Sequence, residues 1–323
     1  VNGAAGNWEV SFRYDAAFRD EREVRSVEFR DAATFREALE HRLSEQADGD
    51  SLRLFHARMH VVLDRLLARL LAVAPGGWAL TGALALDLRL VGRPRGYRAA
   101  HIEWPVGRLS ELHEAVATAA EHDAKDFYTF EIESSGEGIS GNEVRRSFRL
   151  HAFLGEEPFE TASIDFLCRY GPLPTEPLRF SDLLGFAGIA PVDVASVLLE
   201  IQVAEMVHGY SGSCARGFDP SSATDLLDIG LIAERSTLDA AALREAIAAI
   251  FARKDADPPT SLPSPFEQWA EPFRRMAESA EVPAELVASA ELLDPVLSGE
   301  VTEGTWNPAM QHWSGPSRNG HPV

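Results

Sequence analysis

From residue 31 onward the apolar positions fall at helical spacing. Asp31 is a residue type that caps helix N-termini, and Phe35, Ala38, Leu39 and Leu43 follow it on one face. A second helix is expected from Ser51, where Leu52, Phe55, Met59, Val62, Leu63, Leu66, Leu67, Leu70 and Leu71 form a broad apolar stripe that the Pro75-Gly76-Gly77 turn stops. Trp78-Ala79-Leu80, Thr81-Gly82 and residues 83–90 then read as strand, tight turn and helix. A strand is predicted over 100–104, a helix over 110–122, and strands over 127–133, 144–154 and 159–167. Phe148, Leu150, Ala152 and Leu154 alternate as residues of a half-buried strand do. The acidic, glycine-bearing stretch 134–142 reads as a hairpin connection.

Three prolines within 171–177 suit a linker, and beyond it the pattern is helical over 192–210, 222–234, 240–253, 266–279 and 284–297. The expectation is an α+β protein: an irregular arm over 1–30, a mixed-sheet α+β domain over 31–170, a helical domain over 171–300 and a mobile tail over 301–323.

Composition narrows the function. The 323 residues are 45% hydrophobic, enough for real cores, and 30 basic against 50 acidic side chains give a formal charge of −20. A field of that sign excludes a globally basic nucleic-acid binder, although a local basic patch is compatible with it. Two cysteines, Cys168 and Cys214, make neither a disulfide framework nor a four-cysteine zinc site, which suits a reducing, cytoplasmic location. No membrane span or basic-then-apolar leader is evident, so no membrane association is expected. All but two of the basic residues are arginines; the lysines are Lys125 and Lys254. A mechanism that needs a compact ammonium must use one of these.

Residues 78–90, Trp-Ala-Leu-Thr-Gly-Ala-Leu-Ala-Leu-Asp-Leu-Arg-Leu, are followed by an arginine-rich loop and a strand. With Phe159-Glu160-Thr161, Leu183 to Ile189, Gln202-Val203-Ala204-Glu205, Ser221 to Asp228 and Trp269 to Phe273, they resemble the AbiEii/AbiGii family of nucleotidyltransferase toxins from about Phe29 to Leu297. The resemblance implies a nucleotidyltransferase-like mixed-sheet domain before a helical one. It further implies nucleotide transfer from a nucleoside triphosphate to RNA, tRNA foremost, with Mg²⁺ as cofactor and a cognate antitoxin as partner. Such chemistry needs close backbone approach to phosphates and carboxylates that share a strand face to hold metal.

By the resemblance, Thr81, Gly82 and Ala83 stand at the nucleotide-binding turn, where the family carries Lys-Gly-Gly. His101 and Glu103 fall where it carries paired aspartates, Asp165 is the third acid, and Asp225 and Asp228 lie at a further nucleotide-binding helix. Met206 and Thr224 replace family lysines. Glu103 and Asp165 are thus the candidate catalytic acids, and His101, Glu103 and Asp165 the candidate metal ligands. That trio reads either as a site for Mn²⁺, Fe²⁺ or Zn²⁺, or as a polar remnant. Arg93, Arg95 and Arg98 are the candidate RNA contacts, against the reading of a solvated loop. Arg145, Arg146 and Arg149 read as strand-face charges. The expected function is a catalytically impaired nucleotidyltransferase, a pseudoenzyme. The alternatives are a divergent active enzyme that uses Glu103 and Asp165, and an acidic protein-interaction module.

Overall fold

The computed structural model describes residues 29–90, 99–140, 143–169, 171, 173–216, 220–263, 270–280 and 287–315. Two helices open it: α1 (Ala32–Ala47) and α2 (Ser51–Val73). Each has an aspartate N-cap: Asp31 Oδ1 accepts from the Thr34 amide at 2.8 Å and Asp50 Oδ1 from the Leu52 amide at 2.8 Å. After them come β1 (Ala79–Thr81), α3 (Gly82–Arg89), β2 (Ala99–Pro105), α4 (Leu109–Glu121), β3 (Tyr128–Ser140), β4 (Glu143–Leu154) and β5 (Glu157–Arg169). The chain continues through β6 (Thr175–Arg179), β7 (Asp193–Val197), α5 (Leu199–Arg216), α6 (Pro220–Arg235), α7 (Ala240–Arg253), α8 (Ala270–Ala280), α9 (Val287–Leu297) and the hairpin β8 (Thr305–Asn307) and β9 (His312–Ser314).

Seven strands form one mixed sheet in the order β3-β4-β5-β2-β1-β7-β6. The β1–β7 and β2–β5 pairs are parallel and the others antiparallel. The apolar stripe of α2 packs with α1, α4 and one face of the sheet in a first core containing Leu63, Leu67, Leu80, Ile102, Trp104, Phe148 and Phe166. A second core, built by α5 to α9, takes in Ala79, Leu86 and Val197. Strand β1 serves both cores because its side chains alternate in direction: Leu80 enters the first and Ala79 the second. The sheet is therefore sandwiched at β1 and β7, whereas the second face of β3, β4 and β5 carries the exposed Thr129, Glu131, Glu133 and Arg149.

A buried ion pair fastens α2 to this frame. Arg69 forks onto Asp126, with Nη1 donating to Oδ2 at 2.8 Å, and its Nη2 also reaches the Tyr128 carbonyl at 2.7 Å. Both side chains are buried and hydrogen-bonded, the condition under which such a pair is tolerated.

Four expectations change. Residues 171–177 are not simply a linker, because Thr175 opens β6 and the sheet runs on past residue 170 to Val197. The helix expected over 192–210 is β7 followed by α5. The spacing of Val192, Val194 and Val197 is ambiguous by itself, and pairing between β1 and β6 selects the strand. The stretch assigned to a connection at 134–140 continues β3, since a ladder of backbone bonds with β4 needs no apolar side chains. In the segment assigned to a tail, residues 305–314 form the β8–β9 hairpin, and the Trp306 indole, fully buried, donates to the Ala233 carbonyl at 2.7 Å.

Candidate functional site

The site is built on the second face of β2, β5 and β4, beside the helical layer. Register sets its first row. Thr81 lies opposite His101, His101 opposite Asp165, and Asp165 opposite Ser147, so four neighbouring strands contribute to one line. A step along, Glu103 lies opposite Leu167 and Leu167 opposite Arg145. Period-2 alternation sends His101 and Glu103 to this face while Ala100, Ile102 and Trp104 enter the first core.

The turn into α3 needs glycine. Gly82 has φ +70°, and a β-carbon there would lie 2.5 Å from His101 Nδ1, so the imidazole fills the space above it. The other ring nitrogen, His101 Nε2, stands 3.4 Å from Asp165 Oδ2. Asp165 also accepts from Arg145 through Oδ2 and from the Ser147 hydroxyl through Oδ1. Burial would raise its pKa, but the hydrogen bonds from His101, Ser147 and Arg145 outweigh that and hold the carboxyl well below the usual carboxylate range.

Glu103 is shifted the other way. Burial pushes its pKa up to about 7, opposed by the Arg169 charge and reinforced by Glu205. Arg169, at the end of β5, is the hub of this half of the site. Its Nη1 lies 3.3 Å from Glu103 Oε1, its Nε 3.0 Å from Glu143 Oε1, and Nη1 also donates to Glu205 on α5. Glu205 in turn accepts from Arg253 Nη2 at 3.2 Å, and Glu143 Oε2 pairs with Lys254 Nζ at 2.6 Å.

The helical side is read along one stripe of α5. Gln202, Glu205 and Gly209 fall at i, i+3 and i+7 and share a face. The Gln202 amide is 3.4 Å from Thr81 Oγ1, Glu205 takes Arg169, and a β-carbon on Gly209 would come within 2.9 Å of Asp225 Oδ2. Asp225 is thereby placed against α5 one turn beyond Glu205. Asp228, one turn further along α6, is buried.

Among the sequence-derived candidates, Thr81, Gly82, His101 and Asp165 meet directly, and Glu103 lies on the same face but is bonded to Arg169. Ala83 follows in the first turn of α3. Arg93, Arg95 and Arg98 lie outside the described residues, as does the side chain of Cys214. Cys168 is buried in the first core, and burial pushes its thiol up to about 11, so it is a poor nucleophile. Met206 belongs to the second core, where an ammonium would be costly. Arg145 is a site residue rather than a plain strand-face charge. Glu143, Ser147, Arg169, Glu205, Arg253 and Lys254 were not singled out for the site by sequence reasoning. Their available signal was the alternation of Glu143, Arg145 and Ser147 along β4, together with the rarity of lysine.

A glycine turn between strand and helix, polar groups aligned on neighbouring strands and a helical layer beside them agree with the nucleotidyltransferase-like arrangement that the sequence resemblance implies. The sequence model for the AbiEii nucleotidyl transferase toxin of type IV toxin–antitoxin systems matches residues 105–295, more than half of the chain, and the protein belongs to that family. The match includes Asp165, Asp225 and Asp228 and begins after Gly82, His101 and Glu103. Among solved structures, the nucleotidyltransferase toxin MenT4 of Mycobacterium tuberculosis aligns at 18% identity over 80% of this chain and 98% of its own, with a TM-score of 0.47. The antibiotic-resistance factor ANT(2'')-Ia aligns at 15% identity over 61% of this chain and 95% of its own, with a TM-score of 0.33. No curated protein matches the sequence. Membership implies nucleotide substrates and an antitoxin partner. Among the described residues, no helix is long and apolar enough to cross a membrane.

Membership also implies a divalent metal, and the donors do not fit one. Magnesium takes hard oxygen ligands in a near-ideal octahedron. Here the first acid position holds an imidazole, Glu103 is engaged by the Arg169 guanidinium, and both Asp165 oxygens already accept hydrogen bonds. Among the described residues no three His, Cys, Asp or Glu side chains are gathered as a ligand set.

Proposed function

We propose that this family member has lost, or strongly reduced, nucleotide transfer and acts by recognising a nucleotide or RNA in the cleft between the sheet and α5. The observation that carries the reading is the row Gly82, His101, Asp165. The imidazole covers the glycine turn that would have to admit a triphosphate, and it also replaces an oxygen ligand. Transfer to RNA depends on positioning and on neutralising developing charge, and a displacement near 1 Å can cost about a hundredfold. Ala83 at the turn and Asp225 and Asp228 on α6 remain the nucleotide-facing candidates. Arg93, Arg95 and Arg98 are proposed for RNA phosphates, and a cytoplasmic location fits a chain with only two cysteines.

The reading is tested by incubating the protein with labelled nucleoside triphosphates, Mg²⁺ or Mn²⁺ and total tRNA. Label in RNA should stay at background, while equilibrium dialysis detects bound nucleotide or RNA. Incorporation that disappears in Asp165→Ala would establish a divergent working transferase that uses Asp165, and the proposal would be wrong.

A further inference from the structure

Four carboxylates on the sheet and the facing end of α5 are held by four of the chain's own cations. Glu103, Glu143, Asp165 and Glu205 face Arg145, Arg169, Arg253 and Lys254, and each carboxylate touches at least one of them. We propose that Arg145 and Arg169 are the resident cations of this site, occupying its carboxylates so that it is closed to divalent metal ions. The proposal rests on reading this cleft as the family's nucleotide site.

Three physical points support it. First, each of these four carboxylates already has a cationic partner at contact, in contrast to an acidic metal site awaiting its cation. Second, the two guanidinium groups are held differently but both at contact. Arg169 is only 9% exposed and reaches three carboxylates from three elements, β2, β4 and α5. Arg145 is 53% exposed, yet it donates to Asp165 across the β4–β5 ladder. Third, both cations are tethered and permanently charged, so an incoming ion competes with a group of high local concentration that no ordinary pH removes. A metal at Asp165 would compete with the Arg145 and His101 contacts on Oδ2 and the Ser147 contact on Oδ1.

Mn²⁺ binding to the whole chain, followed by electron paramagnetic resonance of the free ion, tests this. The wild type should leave Mn²⁺ free up to about 1 mM. Arg145→Gln, at an exposed strand position whose fold is checked by circular dichroism, should tighten binding about tenfold or more. Adding Asp165→Asn should abolish the gain. Micromolar Mn²⁺ binding by the wild type overturns the proposal without recourse to any variant, and so does a folded Arg145→Gln protein that binds no more tightly. The two readings fail separately: nucleotide transfer without manganese uptake removes the proposed function alone, and manganese uptake without transfer removes this one alone.

Discussion

Gly82 answers to two constraints at once, a left-handed backbone and the His101 ring above its α-carbon. Gly82→Ala should therefore destabilise the protein by about 1–3 kcal/mol, measured by urea denaturation. In a His101→Ala background the clash is gone and only the backbone strain persists, about 1–2 kcal/mol. Equal costs in the two backgrounds would show that the imidazole does not fill that space. At this scale Gly82, Glu103 and Asp165 were proposed from the sequence because they stand at positions the family resemblance marks. The sequence was not legible for Arg145, Arg169 or Lys254. A guanidinium in an arginine-rich chain has no local signature, and its partners stand on strands and helices distant in sequence.

The clearest element-scale dependence is that of the C-terminal hairpin on the helical layer. Trp306 is buried to its indole nitrogen against Ala233, and the Ala240 amide bonds the Gly304 carbonyl at 2.9 Å. Trp306→Ala should cost about 3–5 kcal/mol and lower the thermal midpoint by several degrees in calorimetry. An unchanged midpoint would mean the hairpin is not part of the folded unit. Local pattern located α1, α2, β2, β4 and α7 because caps and periodicity agreed there. It misplaced β7, whose valines fit either period. It missed β8 and β9, at three residues each too short to show alternation.

Across the whole molecule, charged groups join the sheet to the helical layer beside the shared apolar contacts, and their titration should be visible in global stability. Glu103 sits among Arg169 of β5, Glu143 of β4, Glu205 of α5 and Arg253 beyond it, with its pKa raised from an ordinary 4.5 to about 7. The folded state therefore binds this proton more tightly than the unfolded chain does. That contribution is fully present below about pH 4.5 and is lost as pH rises through about 7. Asp165, held low, acts in the opposite sense and withdraws stability as pH falls through the acid range. Denaturant midpoints should be higher at pH 5.5 than at pH 8.5, by about 1–3 kcal/mol in free energy, and Glu103→Gln should remove most of that difference. An undiminished difference in Glu103→Gln would assign the effect to other groups.

The sequence by itself determined the helical stripes, the caps and the strand–glycine–helix turn, since each follows from neighbours a few residues apart. Only the tertiary structure decided that β6 and β7 complete the sheet, that Trp306 closes the second core, and that arginines from β4 and β5 reach the acids. Those outcomes rest on strand register and on ion pairs between residues far apart in the chain. The free energy that selects them appears only once the elements pack.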